Sequence, residues 1–172
     1  MKKILCIALA VLFVVGGVVG VYAAENKGTA STIKLEKSEG TVTVTNASGK
    51  EVSVRKDMRL YSGYTIITSA GGSAYISLDS SKAVLLEASS KMSLKKSGKK
   101  IDLMLESGTV VTDISEKLSK DETLNIHTTN MVTGIRGTGV EVSYFPHRAV
   151  TRINMIHGST TNFSKFVRDM IS

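Results

Sequence analysis

Apolar and polar residues alternate at a period of two in block after short block of this chain, and that rhythm restricts the fold. Val42 and Val44 alternate with threonines, Val52 and Val54 flank Ser53, and Ala74, Ile76 and Leu78 alternate with Tyr75 and Ser77. The rhythm returns at Met92/Leu94, Ile101/Leu103/Leu105, Val110/Thr112/Ile114, Leu124/Ile126 and Val140/Val142/Tyr144. A period of two sends these side chains to one face of a strand and buries that face. Between the blocks stand Ser48-Gly49, Ser62-Gly63, Gly71-Gly72, Asp79-Ser80, Ser97-Gly98, Ser107-Gly108 and His157-Gly158, all turn material. Pro146, the only proline, ends one strand before the segment from Val150. Many short, β-branched strands between turns predict an all-β domain.

Gly-Thr opens three of these runs, at Gly40-Thr41, Gly108-Thr109 and Gly137-Thr138. The spacing is irregular, so this is no formal repeat; it suits a sheet that coils on itself and starts each run alike. A helical spacing emerges only at the end, where Phe163, Phe166, Val167, Met170 and Ile171 recur at three and four, with Thr161 or Asn162 placed to cap it. A short amphipathic helix closing the open end of the β core is expected over 161–172. A partner-binding or membrane-surface helix is the other reading.

The N-terminus carries Met1-Lys2-Lys3, an apolar run from Ile4 to Val21, and small residues at Ala23-Ala24 before Glu25-Asn26-Lys27. A basic start, an apolar core and small residues at a processing site are the parts of a secretory signal, with a cut after Ala23 expected. The run is also nearly long enough to span a bilayer, so an uncleaved anchor is the alternative. Cys6, the only cysteine, lies inside the signal and is badly placed for lipidation. A mature chain would have no thiol and would rely on its own core. The expected organisation is a signal at 1–23, a polar linker or edge strand at 24–38, the β domain at 39–160 and the helix at 161–172. Without Lys2 and Lys3 the formal charge of +7 falls to +5, mildly basic and too small to argue for nucleic acid.

The run from Gly40 to Val142 resembles the FecR domain family of exported bacterial proteins and iron-uptake signalling regulators. The residues carrying the resemblance are Gly40-Thr41-Val42-Thr43-Val44, Gly63 with Ile66-Ile67-Thr68-Ser69, and Gly71-Gly72-Ser73-Ala74 with Ile76-Ser77-Leu78-Asp79. Leu103 to Val110 and Ile126-His127-Thr128 follow, closing on Ile135-Arg136-Gly137-Thr138-Gly139-Val140-Glu141-Val142. The resemblance implies a coiled or solenoid-like, antiparallel or mixed sheet outside the inner membrane. The family's signalling regulators place a sigma-factor-binding region before a membrane helix, whereas here only Lys2-Lys3 precede the apolar run. A complete anti-sigma regulator is therefore not expected. Ile153 to Ser159 looks like the first half of the family's last strand pair, and the helical pattern from Phe163 replaces the second.

Catalytic patterns are missing from the sequence. His127, His147 and His157 share no metal-ligand spacing, and surface positions are expected for all three rather than convergence with Asp79 or Glu141 on a metal. Ser-x-x-Lys occurs at Ser53/Lys56, Ser93/Lys96 and Ser97/Lys100, but in strands and turns, without its companion elements. Gly134 to Gly139 is glycine-rich, yet no helix follows to hold a phosphate. No cofactor is expected. Some relatives are held to break their own backbone at a Gly-Thr bond by hydroxyl attack on the preceding carbonyl, and Gly137-Thr138 matches best. Lys91, Lys95, Lys96, Lys99 and Lys100 crowd a predicted hairpin around Ser97-Gly98. They read either as solvated lysines that guard a strand edge or as a patch for an anionic polymer, glycan or lipid headgroup, whose binding salt would weaken.

The functional expectation is an exported, non-catalytic binding or scaffold module of the cell envelope, periplasmic or at the cell surface, with an envelope protein or anionic polymer as partner. The alternatives are an anchored signalling protein and an envelope-acting hydrolase.

Overall fold

The computed structural model describes residues 32–137 and 139–156, all within the unit Ser31–Ser172. Thirteen strands lie among them: β1 (Lys34–Glu39), β2 (Val42–Thr45), β3 (Glu51–Val52), β4 (Met58–Arg59), β5 (Thr65–Thr68), β6 (Ser73–Ser77), β7 (Lys82–Leu86), β8 (Lys91–Ser97), β9 (Lys100–Ile114), β10 (Thr123–Thr128), β11 (Met131–Ile135), β12 (Gly139–Phe145) and β13 (Val150–Ile156). They form one curled sheet in the manner of a half-barrel, hinged on β9. The first part of β9 pairs with β8 on one side and β10 on the other, giving the order β3-β2-β5-β8-β9-β10-β11. Its second part pairs with β7 and β12, giving β4-β1-β6-β7-β9-β12-β13. The β9–β10 pair is parallel and the other pairs are antiparallel.

The alternating residues do what their period demands. Val44, Ile66, Met92, Leu94, Leu103, Leu105, Leu124 and Ile126 come from one half of the sheet, and Leu35, Ile76, Leu86, Val110, Val140 and Val142 from the other. Each is buried, and all belong to one hydrophobic core. Two sequence expectations change. Ser107-Gly108 does not separate two strands: β9 runs on through it for 15 residues. Gly108, at φ +88, bends the strand from one half of the sheet into the other while its neighbours keep their ladder bonds. The polar stretch at Lys34–Glu39 is an edge only in part: Lys34 and Leu35 lie between β6 and β4, while Lys37, Ser38 and Glu39 pair with β6 alone. The expected C-terminal helix lies outside the described residues, among which the one helical element is a 3-10 turn at Pro146–Arg148.

The corners where the chain passes between the two halves stack on one another. Ser69 N–H donates to the Thr41 carbonyl (3.0 Å) and Ser89 N–H to the Ser69 carbonyl (2.9 Å). Thr109 N–H donates to Ser90 Oγ (2.9 Å), and the Thr109 and Ser143 hydroxyls share a 2.9 Å bond. Small hydroxyl residues satisfy the backbone here without taking core volume. A Cβ on Gly40, at φ +60, would lie 2.4 Å from the Gly71 carbonyl oxygen. Two of the three Gly-Thr pairs therefore stand at stacked corners, where the chain approaches itself too closely for a side chain.

Candidate functional site: a basic cleft between two sheet edges

Strands β3 and β4 are consecutive in the chain yet form the outer edges of opposite halves of the sheet. The segment between them, with the turn before β3 and the loop after β4, walls a cleft of about 810 Å³. Its base is held by core contacts, since Val52, Val54, Met58 and Tyr64 pack on the core and Leu60 is buried within it. Asn46 fixes the turn before β3, its Oδ1 accepting from Ser48 N–H and Lys50 N–H at 3.0 Å each. Leu60 N–H donates to the Ile33 carbonyl (2.9 Å), tying down the loop after β4.

Lys50, Arg55, Lys56 and Arg59 line this cleft and are exposed. None of the four forms an ion pair with another described residue. Glu51 and Asp57 are the acidic residues of the lining. Glu36, on β1, has its pKa raised, first by burial and then by a hydrogen bond and repulsion from Asp57. Asp57 thus lies beside another acid, and it forms no ion pair with the four cations among the described residues. Tyr61, 57% exposed, and Tyr64 stand with ring centroids 5.5 Å apart and planes at 60°. Cations without an ion pair among the described residues, in a concavity with a ring face at its rim, are groups that can meet an anion with an apolar surface.

Two lysines of the β8–β9 hairpin are matched by acids. Lys91 Nζ lies 2.7 Å from Glu106 Oε2 and Lys99 Nζ 2.7 Å from Asp121 Oδ2. Lys95 stands opposite Asp102 in the ladder. Lys96 donates its backbone N–H to Ser62 Oγ (3.0 Å), and Lys100 is exposed opposite Ser97. His127 Nε2 lies 2.9 Å from Asp102 Oδ1, which also accepts from Asn125 Nδ2 (2.8 Å). His147 is exposed in the 3-10 turn, while His157 lies outside the described residues. Asp79 is held by Lys82 and Ser81, and Glu141 by Asn154. Among the described residues no three His, Cys, Asp or Glu side chains gather to hold a metal. Gly137 is exposed at φ +143, and Thr138 lies outside the described residues.

Sequence reading missed the cleft because its cations are spread over Lys50 to Arg59 among strand-forming residues, and only the turn-back at Asp57, with φ +58, brings them to one concavity. Density of lysine pointed to the hairpin, where acids from β9 and the loop before β10 lie out of sequence range.

The fold and these sites define an all-β module without a metal-binding cluster among its described residues. Residues 64–160 match the family model described as FecR protein. That is more than half of the chain, and the protein belongs to the FecR family. No curated protein and no solved structure matches. The match runs through the β12–β13 hairpin, while nearly all of the cleft precedes it; of the lining residues, Tyr64 alone falls within the match.

Proposed function

We propose that this protein is an exported, non-catalytic binding module of the bacterial cell envelope that takes an anionic glycan polymer in the cleft between β3 and β4. The observation that carries the reading is the set of four cations, Lys50, Arg55, Lys56 and Arg59, that form no ion pair among the described residues and share one cleft with an exposed Tyr61. Carboxylates or phosphates along a polymer would meet the cations, and the apolar face of a sugar would meet the tyrosine ring. Membership of the FecR family and the signal-like N-terminus support a place outside the cytoplasm, and the N-terminal sequence of protein from its native envelope tests that place.

Binding is tested with an immobilised uronic-acid polysaccharide against neutral dextran. The acidic polymer is expected to retain the protein and to release it as salt rises. Arg55→Ser with Lys56→Ser and Arg59→Ser is expected to weaken retention by about tenfold or more. Equal retention on dextran, or undiminished retention of the triple variant, refutes the reading.

A further inference from the structure

The two ends of the curled sheet are finished differently. At the β3/β4 end chain outside the ladder covers the core with Val54 and Leu60. At the other end the last strands are β11 and β13. Register shows which of their side chains point inward. Leu124 and Ile126 are buried, so their partners Ile135 and Thr133 share the core face. Val140, Val142 and Tyr144 are buried, so Met155, Ile153 and Thr151 do likewise.

These inward positions on β13 are open. Ile153 is 39% and Met155 55% exposed, although the opposite face of the strand carries Arg152 and Asn154. Arg152 lies over the Phe145 ring and Asn154 bonds Glu141. The middle of the strand is thus patterned apolar-in and polar-out, between Val150 and Ile156 at the ends of the outward face, and its inward apolar side chains are left uncovered. Across from it, Thr133 Oγ1 is buried without a hydrogen-bond partner among the described residues. The opening is pinned at one corner, where Asn130 Nδ2 donates to the Ala149 carbonyl (2.8 Å) and the Thr128 and Thr151 hydroxyls meet at 2.9 Å.

We propose that the chain's own C-terminal segment, Thr161–Ile171, docks as an amphipathic helix on the inner face of β13 and closes this end of the core. The segment follows β13 directly, after residues 157–160, which can reach about 13 Å when extended. As a helix it measures about 16 Å, close to the roughly 13 Å that separates Thr151 from Met155 along a strand. Phe163, Phe166, Val167 and Met170 fall on one stripe, and Lys165, Arg168 and Asp169 off it. A tether of that length holds the segment at high local concentration beside the uncovered side chains. The end beside β3 and β4 shows that this core is closed by chain outside the ladder.

Cross-linking in the full chain tests the docking, with Cys6→Ser removing the native thiol. Met155→Cys paired with Phe166→Cys or with Met170→Cys is treated with a short bismaleimide at dilute protein. A cross-link within one chain is expected for at least one pair, and little for Asn154→Cys, which faces outward, paired in the same way. Links only between chains would identify a second copy as the occupant and overturn the proposal. So would no link, or equal linking from position 154. A chain ending at Thr160 gives the second readout. Its β13 amides are expected to exchange at least about tenfold faster than in the full chain, and unchanged exchange counts against docking.

Discussion

A Cβ placed on Gly108 would stand 2.1 Å from the hydroxyl oxygen of Ser90. That hydroxyl accepts from Thr109 N–H and lies within 3.4 Å of the Thr109 carbonyl, so it cannot withdraw without leaving a corner group unpaired. Ser90 is 1% exposed. The bend of β9, which joins both halves of the sheet, is therefore set against a buried polar clasp. Gly108→Ala adds a side chain at φ +88 and drives it into this clasp. A loss of about 3 kcal/mol or more in urea unfolding is expected. Gly49→Ala, at φ +76 but with open space around it, is expected to cost only about 1 kcal/mol.

Burial makes Lys82 a second test of how the halves are held. Its side chain is 8% exposed, clasped to Asp79 and 3.5 Å from Glu122. Burial works against its charge but is outweighed by Asp79 and Glu122, and its pKa is raised. Burial likewise works against the Asp79 charge, and the bonds from Lys82 and Ser81 overcome it. Lys82→Met leaves the Asp79 carboxylate half-buried with only Ser81 to answer it. A destabilisation of about 3 kcal/mol is expected by thermal or urea unfolding; a change below about 0.5 kcal/mol would show that water replaces the ammonium.

Much of the fold could be read from the sequence because burial on a sheet imposes a period of two. Val42/Val44, Met92/Leu94 and Val140/Val142/Tyr144 lie in strands as the alternation requires. Strand β7 was hidden because Lys82-Ala83-Val84-Leu85-Leu86 opens on a lysine and shows no alternation, both faces being largely shielded. Gly108 read as a turn because sequence gives a glycine's freedom but not whether the ladder continues past it. His127 lies out of the core as its place in the alternation predicts, but its partner Asp102 comes from a neighbouring strand. The cleft was illegible for a related reason: charge density along the chain drew attention to the hairpin lysines, two of which, Lys91 and Lys99, meet acids from elsewhere in the fold.

Asp121 offers a measurement of that neutralisation. Hydrogen bonds from Lys99 first, then from Ser119, lower its pKa to about 2. A lowered folded-state value means a contribution to stability present above the unfolded value of 3.8 and lost as pH falls from there to about 2. Carboxyl NMR titration should find the midpoint near 2, and Lys99→Met should move it up toward the ordinary aspartate range. A midpoint already at the ordinary value in the unaltered protein would leave Lys99 available to an anionic partner and revive the hairpin as a binding patch.

Thr133 and Thr112 separate a satisfied inner hydroxyl from an unsatisfied one. Thr112, 0% exposed, donates to the Val140 carbonyl (3.1 Å), while Val140 N–H donates back to its hydroxyl (3.3 Å). Thr133 Oγ1 is buried with no such partner among the described residues. Replacing either by valine keeps the volume and removes the hydroxyl. Thr112→Val should destabilise by about 1–2 kcal/mol, because a hydrogen bond made deep in the core is lost. Thr133→Val should be neutral or stabilising by up to about 1 kcal/mol, because only a desolvated, unpaired group is removed. Equal losses in urea unfolding would mean that Thr133 has a partner at the β11/β13 end, and a residue of the segment after β13 would be the first place to look for it.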